Sequence, residues 1–116
     1  MGLMGTKELL ATIDAAASLS DAVDVKGSDI LRIGMPAAWT AADLTFQQLY
    51  EDGVWRDMHF DWGGEIWLTA AVDISIDCSV FVQFNSVDQI KVRSGTSGAP
   101  VAQIAPRTIR LVVGAR

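Results

Sequence analysis

Few residues in this sequence could carry covalent or acid–base chemistry. The chain has one cysteine, Cys78, and one histidine, His59. A catalytic triad needs a histidine held between a nucleophile and a carboxylate, and a reactive thiol needs a nearby cation or a helix N-terminus. The sequence gives no sign of either arrangement, and it lacks nucleophile-elbow, phosphate-loop and dinucleotide-binding motifs. We therefore expect no catalytic residue, no cofactor and no enzymatic activity, with Cys78 as a small buried apolar residue.

Oxygen ligands for a metal are more numerous, because eleven of the fourteen acidic residues are aspartates. Calcium needs several such oxygens converging on one point, but no Asp-x-Asp-x-Asp loop occurs. Aspartates of β proteins mostly occupy turns, where they accept hydrogen bonds from nearby backbone N–H groups. One histidine and one cysteine exclude zinc sites that are built from several of these residues within one chain. We predict no metal site.

The four tryptophans are the stronger candidates for a functional surface. Trp55 alternates with a charged Arg56 and is interpreted as a core residue. Trp62 lies in an Asp-Trp-Gly-Gly turn, so it is predicted to be exposed, where its ring can stack on a sugar, fill a pocket of a partner or fold back over the domain. The small-residue loop 94–100 lacks a lysine and a following helix, so it is no phosphate cradle and instead suits a hairpin excursion or a subunit contact.

The elements that must position these residues are short apolar segments bounded by turn residues, a pattern typical of an all-β sandwich or barrel. Asp52-Gly53 is the strongest hairpin signal. We predict an all-β fold, an antiparallel two-sheet β-sandwich of jelly-roll type, as a single domain over residues 21–116. Residues 1–20 form an N-terminal arm, either extended or a short helix. The predicted strands are 22–25, 30–35, 44–50, 54–60, 65–69, 72–77, 80–84, 89–93 and 107–113.

Composition excludes several classes of protein. Half of the residues are hydrophobic, 20% are charged, and the mean hydropathy is +0.28, which excludes a mostly disordered chain. The net charge of −5 argues against a nucleic-acid binder, because phosphate contacts need clustered positive charge. No apolar run approaches the ~20 residues of a membrane-spanning helix. We expect neither nucleic acid nor a membrane among the partners.

Three stretches together resemble a known family: residues 35–47 (MPAAWTAADLTFQ), 52–57 (DGVWRD) and 90–98 (IKVRSGTSG). With the closing residues 107–113 (RTIRLVV), they resemble small proteins encoded among the virion structural genes of tailed bacteriophages and prophages. This resemblance implies a jelly-roll sandwich on the outside of a virion, without catalytic residues. The hairpin also looks like the core hairpin of discoidin-like and carbohydrate-binding sandwiches.

These observations lead to a main functional expectation and two alternatives. The main one is a cement or decoration subunit on the capsid surface, bound to the major capsid protein as a homotrimer or a dimer. One alternative is a carbohydrate-binding adhesion module of a head or tail fibre, in which Trp62, Trp67 and Tyr50 stack on sugars while Asp57 and Asp61 bond hydroxyls. The other is a neck, tail or baseplate subunit. The predicted partner contacts are Leu3, Leu9, Leu10, Ile13, Trp62, Ser94, Thr96 and Pro100.

Overall fold

The computed structural model describes residues 5–26, 28–78, 84 and 87–115. Within these ranges the strands are β1 (Thr6–Ile13), β2 (Val23–Asp24), β3 (Ser28–Gly34), β4 (Leu44–Leu49), β5 (Trp55–Asp57), β6 (Ser75–Asp77), β7 (Gln89–Ser94) and β8 (Arg107–Ala115). They form two antiparallel four-stranded sheets, with the strand orders β1-β8-β3-β6 and β2-β7-β4-β5. The predicted all-β, two-sheet fold is confirmed.

The alternation of apolar and polar residues places the core between the two sheets. On β8, Ile109, Leu111 and Val113 are fully buried while Thr108 and Arg110 are exposed, because successive side chains of a strand point to opposite faces. Between the sheets, the rings of Phe46 and Phe84 meet edge to face with their centroids 4.9 Å apart. Each such buried side chain stabilises the fold by about 1.5–3 kcal/mol relative to an exposed one.

The N-terminal residues take the extended alternative and belong to the sandwich. β1 pairs with β8 over its whole length, from Thr6 opposite Gly114 to Ile13 opposite Arg107. It sends Ala11 into the core together with Ile13. Residues 6–13 are therefore an edge strand of the first sheet and not an arm outside the domain.

Several predicted strands are shorter in the structure. Of 54–60 only Trp55–Asp57 is a strand, and of 72–77 only Ser75–Asp77. Segment 65–69 is held by isolated bridges, Leu44 with Leu68 and His59 with Glu65, although its Ile66 and Leu68 are buried. Alternation identified which side chains are buried, but a strand also needs a neighbour that pairs along its length. In the predicted strand 80–84, residues 80–83 lie outside the described residues.

The predicted Asp52-Gly53 hairpin is confirmed by the antiparallel pairing of β4 with β5. Gly53 has a φ of 80° and donates its N–H to the Tyr50 carbonyl at 2.9 Å. Asp52 is not among the residues with positive φ, so the loop is a tight turn followed by a left-handed glycine, as in three-residue and longer hairpin loops. Only the glycine needs the unusual backbone.

The prediction that Trp55 is a core residue is wrong. Trp55, the residue before Arg56 in sequence, lies opposite Leu49 in the β4–β5 pair. It is half-buried on the outer face of the second sheet. The Lys91 ammonium lies 4.5 Å from its ring centre, a favourable cation–π geometry. Arg56 occupies the opposite face at the sheet end, where its long side chain reaches water and lies over the Tyr50 ring. A charged neighbour therefore did not mark the outer face.

Candidate partner-binding surface

The predicted contact residues fall into two separate regions, one on β1 and one around Trp62. Leu3 lies outside the described residues. On β1, Leu10 is 52% exposed on the outer face of the first sheet, while Leu9 is half-buried against the core. Ile13 has no exposed surface, so the prediction that it touches a partner is corrected. The reason is alternation, which places residues 9, 11 and 13 on the inward face.

Trp62 is the most exposed tryptophan of the chain, as the sequence predicts, with 73% of its surface accessible. Its turn is closed by two hydrogen bonds, Phe60 N–H to the Gly64 carbonyl at 2.7 Å and Gly63 N–H to the Phe60 carbonyl at 2.9 Å. The indole stacks on the Phe60 ring at a centroid distance of 5.4 Å and an interplanar angle of 12°. One ring face is thus supported by Phe60, and the rest of the indole remains open to a partner.

Gly64 provides the space for this indole. A Cβ atom at position 64 would lie 2.0 Å from the nearest atom of the Trp62 ring. The absence of a side chain here is therefore needed for the observed position of the ring. The Asp-Trp-Gly-Gly sequence both makes the turn and seats the tryptophan.

The loop 94–100 is compact and depends on Gly95. This residue has a φ of 89°, and a Cβ there would lie 2.6 Å from the Ala99 carbonyl oxygen. Thr96 closes the loop by accepting the Ala99 N–H at its hydroxyl, 3.1 Å away. Thr96 is half-buried and Pro100 is exposed. Ser94 is fully buried, and its hydroxyl accepts a hydrogen bond from the Gln103 amide at 2.7 Å, so its predicted partner contact is corrected as well.

A cluster of charged residues joins this loop to the Trp62 turn. Arg93 is 7% exposed; it donates to Asp57 Oδ1 at 2.5 Å and to Glu65 Oε2 at 3.1 Å. Glu65 also accepts the Ser97 N–H at 3.1 Å and the Ser97 hydroxyl at 3.2 Å. Glu65 follows the Trp62 turn directly, and Ser97 is the middle of the loop. The two predicted contact segments are therefore tied into one surface.

The cluster favours the ionised form of Asp57. Burial of Asp57 opposes ionisation, but the hydrogen bonds from Arg93 and Gln47 outweigh it and hold the pKa of Asp57 below its usual value. Glu65 accepts hydrogen bonds at both of its carboxylate oxygens, and Asp57 accepts from Arg93 and Gln47 at Oδ1. We name residues 60–67 together with loop 94–100 the Trp62 surface.

Trp67 adds a second exposed aromatic ring to the Trp62 surface. It is 52% exposed and lies between Ile66 and Leu68, which are both buried, so it points away from the core. Tyr50 does not join it. Tyr50 lies in the β4–β5 hairpin, at the other end of β5 from the Trp62 turn, and carries the Arg56 guanidinium 4.6 Å from its ring centre. The sugar site predicted from Trp62, Trp67 and Tyr50 is not assembled.

Sequence reasoning missed Glu65 and Arg93, the residues that fix this surface. Their separation of 28 positions carries no local signal, and alternation with the buried Ile90 and Val92 places Arg93 on the outer face of its strand. Arg93 does point away from the core, but the carboxylates and the loop cover it. A lone arginine between buried neighbours, followed by a Gly-rich loop, is the only trace of the cluster in the sequence.

The remaining chemical candidates have other surroundings. Cys78 is buried, and this burial raises the pKa of its thiol to about 12, so the thiol is protonated at neutral pH. His59 is exposed, with Nδ1 3.1 Å from the Asp57 carbonyl oxygen. Among the described residues, no three His, Cys, Asp or Glu side chains gather as metal ligands. The described part of the chain contains no helix with the length and apolar character needed to cross a membrane.

Comparison with known proteins bears on the fold. No family model matches the sequence, and no curated protein matches it. The crystal structure of the SPBc2 prophage-derived protein YomS is similar, with a TM-score of 0.50 and 12% sequence identity. The match covers 95% of this chain and 95% of that chain. The likeness therefore concerns the whole arrangement of the sandwich and not one hairpin of it.

Proposed function

We propose that this chain is a structural protein of a tailed bacteriophage virion that binds the outside of the capsid as a cement subunit. The observation that carries the proposal is the Trp62 surface: an indole exposed over most of its area, yet stacked on Phe60 and lying closely over Gly64. An exposed aromatic ring in a fixed position is typical of the anchor of a protein–protein interface. It loses little conformational freedom on binding, so more of its burial appears as affinity.

Two further observations support a phage origin. The similar solved structure is a prophage-derived protein, and residues 35–47 and 90–98 resemble phage virion proteins. The fold likeness and the sequence resemblance come from different properties of the chain. Their agreement is what favours a virion component over the many other uses of β-sandwiches.

The size of the domain allows a cement role. A standard interface takes about 800 Å² from each partner, about one eighth of the 6264 Å² accessible surface. One copy can therefore contact several shell subunits through separate patches, the Trp62 surface being one and the exposed Leu10 face of the first sheet another. Each contact made only by the assembled shell stabilises that shell by mass action. A homotrimer or a dimer with closed rotational symmetry would fit the symmetry axes of the capsid.

The carbohydrate-binding alternative has one observation in its favour, the stacked Trp62 ring. A sugar could pack on the open part of the indole. Asp61 is exposed beside Trp62, but Asp57 is engaged by Arg93 and Tyr50 belongs to another turn. We therefore favour a protein partner. A neck, tail or baseplate subunit would use the same kind of surface and differs from a cement protein only in its place in the particle.

Binding to phage shells tests the proposal. Purified protein is added to expanded shells that lack it, and the bound fraction is measured by co-sedimentation for wild type, Trp62→Ala and Tyr50→Ala. We expect saturable binding that Trp62→Ala weakens about 30-fold, the equivalent of a hot-spot loss of about 2 kcal/mol. Tyr50→Ala is the matched control, an exposed aromatic ring in another turn, and is expected to bind as wild type.

Two outcomes would contradict the proposal. The first is wild-type protein that fails to bind shells but binds a glycan array, with Trp62→Ala abolishing that signal. The second is shell binding that is lost equally in both variants, because the Trp62 surface would then have no special part in it. Locating the protein in a low-resolution reconstruction of the virion separates the head from the neck, tail and baseplate.

A further inference from the structure

β8 extends beyond its neighbour β3, and this leaves a cleft at one end of the first sheet. β3 ends at Gly34, opposite Arg110, so the first three residues of β8 have no partner on that side. The chain after Gly34 turns away instead, since Met35 N–H bonds the Ile74 carbonyl at 2.9 Å and Asp73 N–H bonds the Pro36 carbonyl at 3.0 Å. The gap is a cleft of about 410 Å³, which is in the size range of small-ligand sites.

Arg107 lines this cleft and is an unusual cation. It is 9% exposed, yet among the described residues it forms no salt bridge with any carboxylate. Its Nε donates to Gln103 Oε1 at 3.0 Å and its Nη2 to Thr40 Oγ1 at 3.4 Å. Buried charges are normally paired, because desolvation without compensation is costly. Gln103 and Thr40 orient the guanidinium but leave its charge unneutralised.

The third nitrogen of Arg107 is available to a ligand. Nη1 makes no hydrogen bond within the described part of the chain. Every fully buried side-chain nitrogen and oxygen there has a hydrogen-bond partner, so Nη1 is not fully enclosed. Since Arg107 lines the cleft, this open donor is reached from the cleft.

Two more donors lie on the same side. Arg110 also lines the cleft; its Nη1 pairs with Glu8 at 2.9 Å, and its side chain is 60% exposed. Thr12 donates its N–H to Asp21 Oδ1 and accepts the Asp21 N–H at its carbonyl, so both main-chain groups of Thr12 point away from β8. Thr108 is opposite Thr12, so by the alternation of an antiparallel pair its N–H points away from β1, toward the cleft.

The rest of the lining sets the character of the ligand. Apolar walls come from Met35, Pro36, Ala38 and Pro106, and among the described lining residues Asp73 is the one carboxylate. Glu8 offsets the charge of Arg110, so the cation that the cleft offers to a ligand is Arg107, within a chain whose net charge is −5. Arg107 therefore favours an anion at this point of the cleft, although the protein as a whole is negatively charged.

We propose that this cleft binds a carboxylate on a short aliphatic stem, as presented by a glutamate side chain of a partner protein. The planar guanidinium of Arg107 matches a carboxylate in fork geometry, and the apolar walls match the methylene groups of the stem. The proposal does not rest on the capsid role, because the cleft is formed by other residues than the Trp62 surface. It assigns the chain a second, polar contact of different chemistry.

The test is a titration followed by NMR. The Arg107 Nε–H signal is observed while glutarate, N-acetyl-glutamate-methylamide or inorganic phosphate replaces chloride at constant ionic strength. We expect a saturable shift with both carboxylates, weaker binding of phosphate, and no shift with chloride alone. Arg107→Lys, which keeps the charge but loses the fork, is expected to weaken carboxylate binding about tenfold.

Asp73→Asn gives a second, independent measurement that does not disturb Arg107. Asp73 has a φ of 57°, a conformation that asparagine adopts as readily as aspartate, so the backbone is kept. Removing its negative charge is expected to tighten carboxylate binding a few-fold, about 2- to 5-fold for an exposed charge. This variant carries the test if Arg107→Lys fails to fold.

Three results would overturn the proposal. Shifts that never saturate would mean that Arg107 has only a structural part, holding Gln103 and Thr40. Phosphate binding as tightly as the carboxylates would contradict a site for an aliphatic stem. Equal affinities of wild type and Asp73→Asn would show that the ligand does not enter the cleft.

Discussion

The charged cluster beneath the Trp62 surface makes a sharp prediction about Glu65→Gln. The carboxylate of Glu65 is 15% exposed and accepts hydrogen bonds from Arg93 Nη1 and from the N–H and hydroxyl of Ser97. Glutamine has the same shape, but one of its two terminal groups is a donor. The amide NH2 of glutamine would face the donors of Arg93 or Ser97, and the negative charge around the Arg93 guanidinium would fall by one.

The magnitude follows from what is lost and what remains. A hydrogen bond to a charged group in a partly buried site contributes about 1.5–3 kcal/mol, and Asp57 still pairs with Arg93 after the change. We therefore expect the free energy of unfolding to fall by about 2 kcal/mol. For a chain of this length that is a decrease in Tm of about 8 °C, at about 4 °C per kcal/mol.

Glu8→Gln is the matched control for this measurement. It removes one carboxylate from an arginine pair of similar length, Arg110–Glu8 at 2.9 Å, but in solvent, with the two side chains 60% and 51% exposed. Exposed pairs contribute about 0.2–1 kcal/mol, so this variant should stay close to wild type. The assay is urea unfolding of the three proteins at one pH and salt concentration. If Glu65→Gln and Glu8→Gln differ by less than about 0.5 kcal/mol, the cluster does not fix the surface and the reasoning is refuted.

Three further predictions concern other residues. The pKa of Asp57 is lowered in the folded state, so its ionised form stabilises the fold above the unfolded pKa of about 3.9, and this contribution disappears as the pH falls through the lower folded value. The free energies of unfolding of wild type and Asp57→Asn should therefore converge below about pH 4. A difference that stays constant with pH would contradict the assignment. Gly64→Ala should displace the Trp62 indole with little change in stability, because the new Cβ meets the end of the Trp62 side chain and not backbone. An unchanged tryptophan emission spectrum would contradict the close packing of Trp62 on Gly64. Cys78 should resist a thiol reagent at pH 8 in the native protein and react once it is unfolded, since its thiol pKa is about 12; equal rates in both states would contradict its burial.

The sheet faces were predictable from sequence because alternation is a local property. Ile109, Leu111 and Val113 repeat every second residue, and they are the buried face of β8. The same rule misassigned Trp55, since it used Arg56 as the outward residue and a long side chain at a sheet end reaches water from either face. A local pattern shows which side chains alternate between the two faces of a strand. It does not show which face is covered when the covering segment is distant in sequence.

The Trp62 surface was predictable in part. An aromatic residue in a turn with two glycines is exposed for local reasons, and Trp62 is exposed. That the turn and loop 94–100 form one surface depends on Glu65, which bonds residues 28 and 32 positions away. Such contacts follow from the strand order of the second sheet, and nothing in a single sequence sets that order. The Arg107 cleft is hidden for the same reason, because it exists only where β8 extends beyond β3.

The two hydrogen bonds between Thr12 and Asp21 also bear on how this protein avoids uncontrolled association. β1 is an edge strand, and a free edge is a template on which another chain can add a strand. Asp21 occupies both main-chain groups of Thr12 on that edge, so an incoming strand cannot pair at this end of β1. The stretch from Thr6 to Leu10 on the same edge carries Lys7 and Glu8, whose charges disfavour stacking of copies in register. A single aspartate thus shortens the exposed edge of the first sheet.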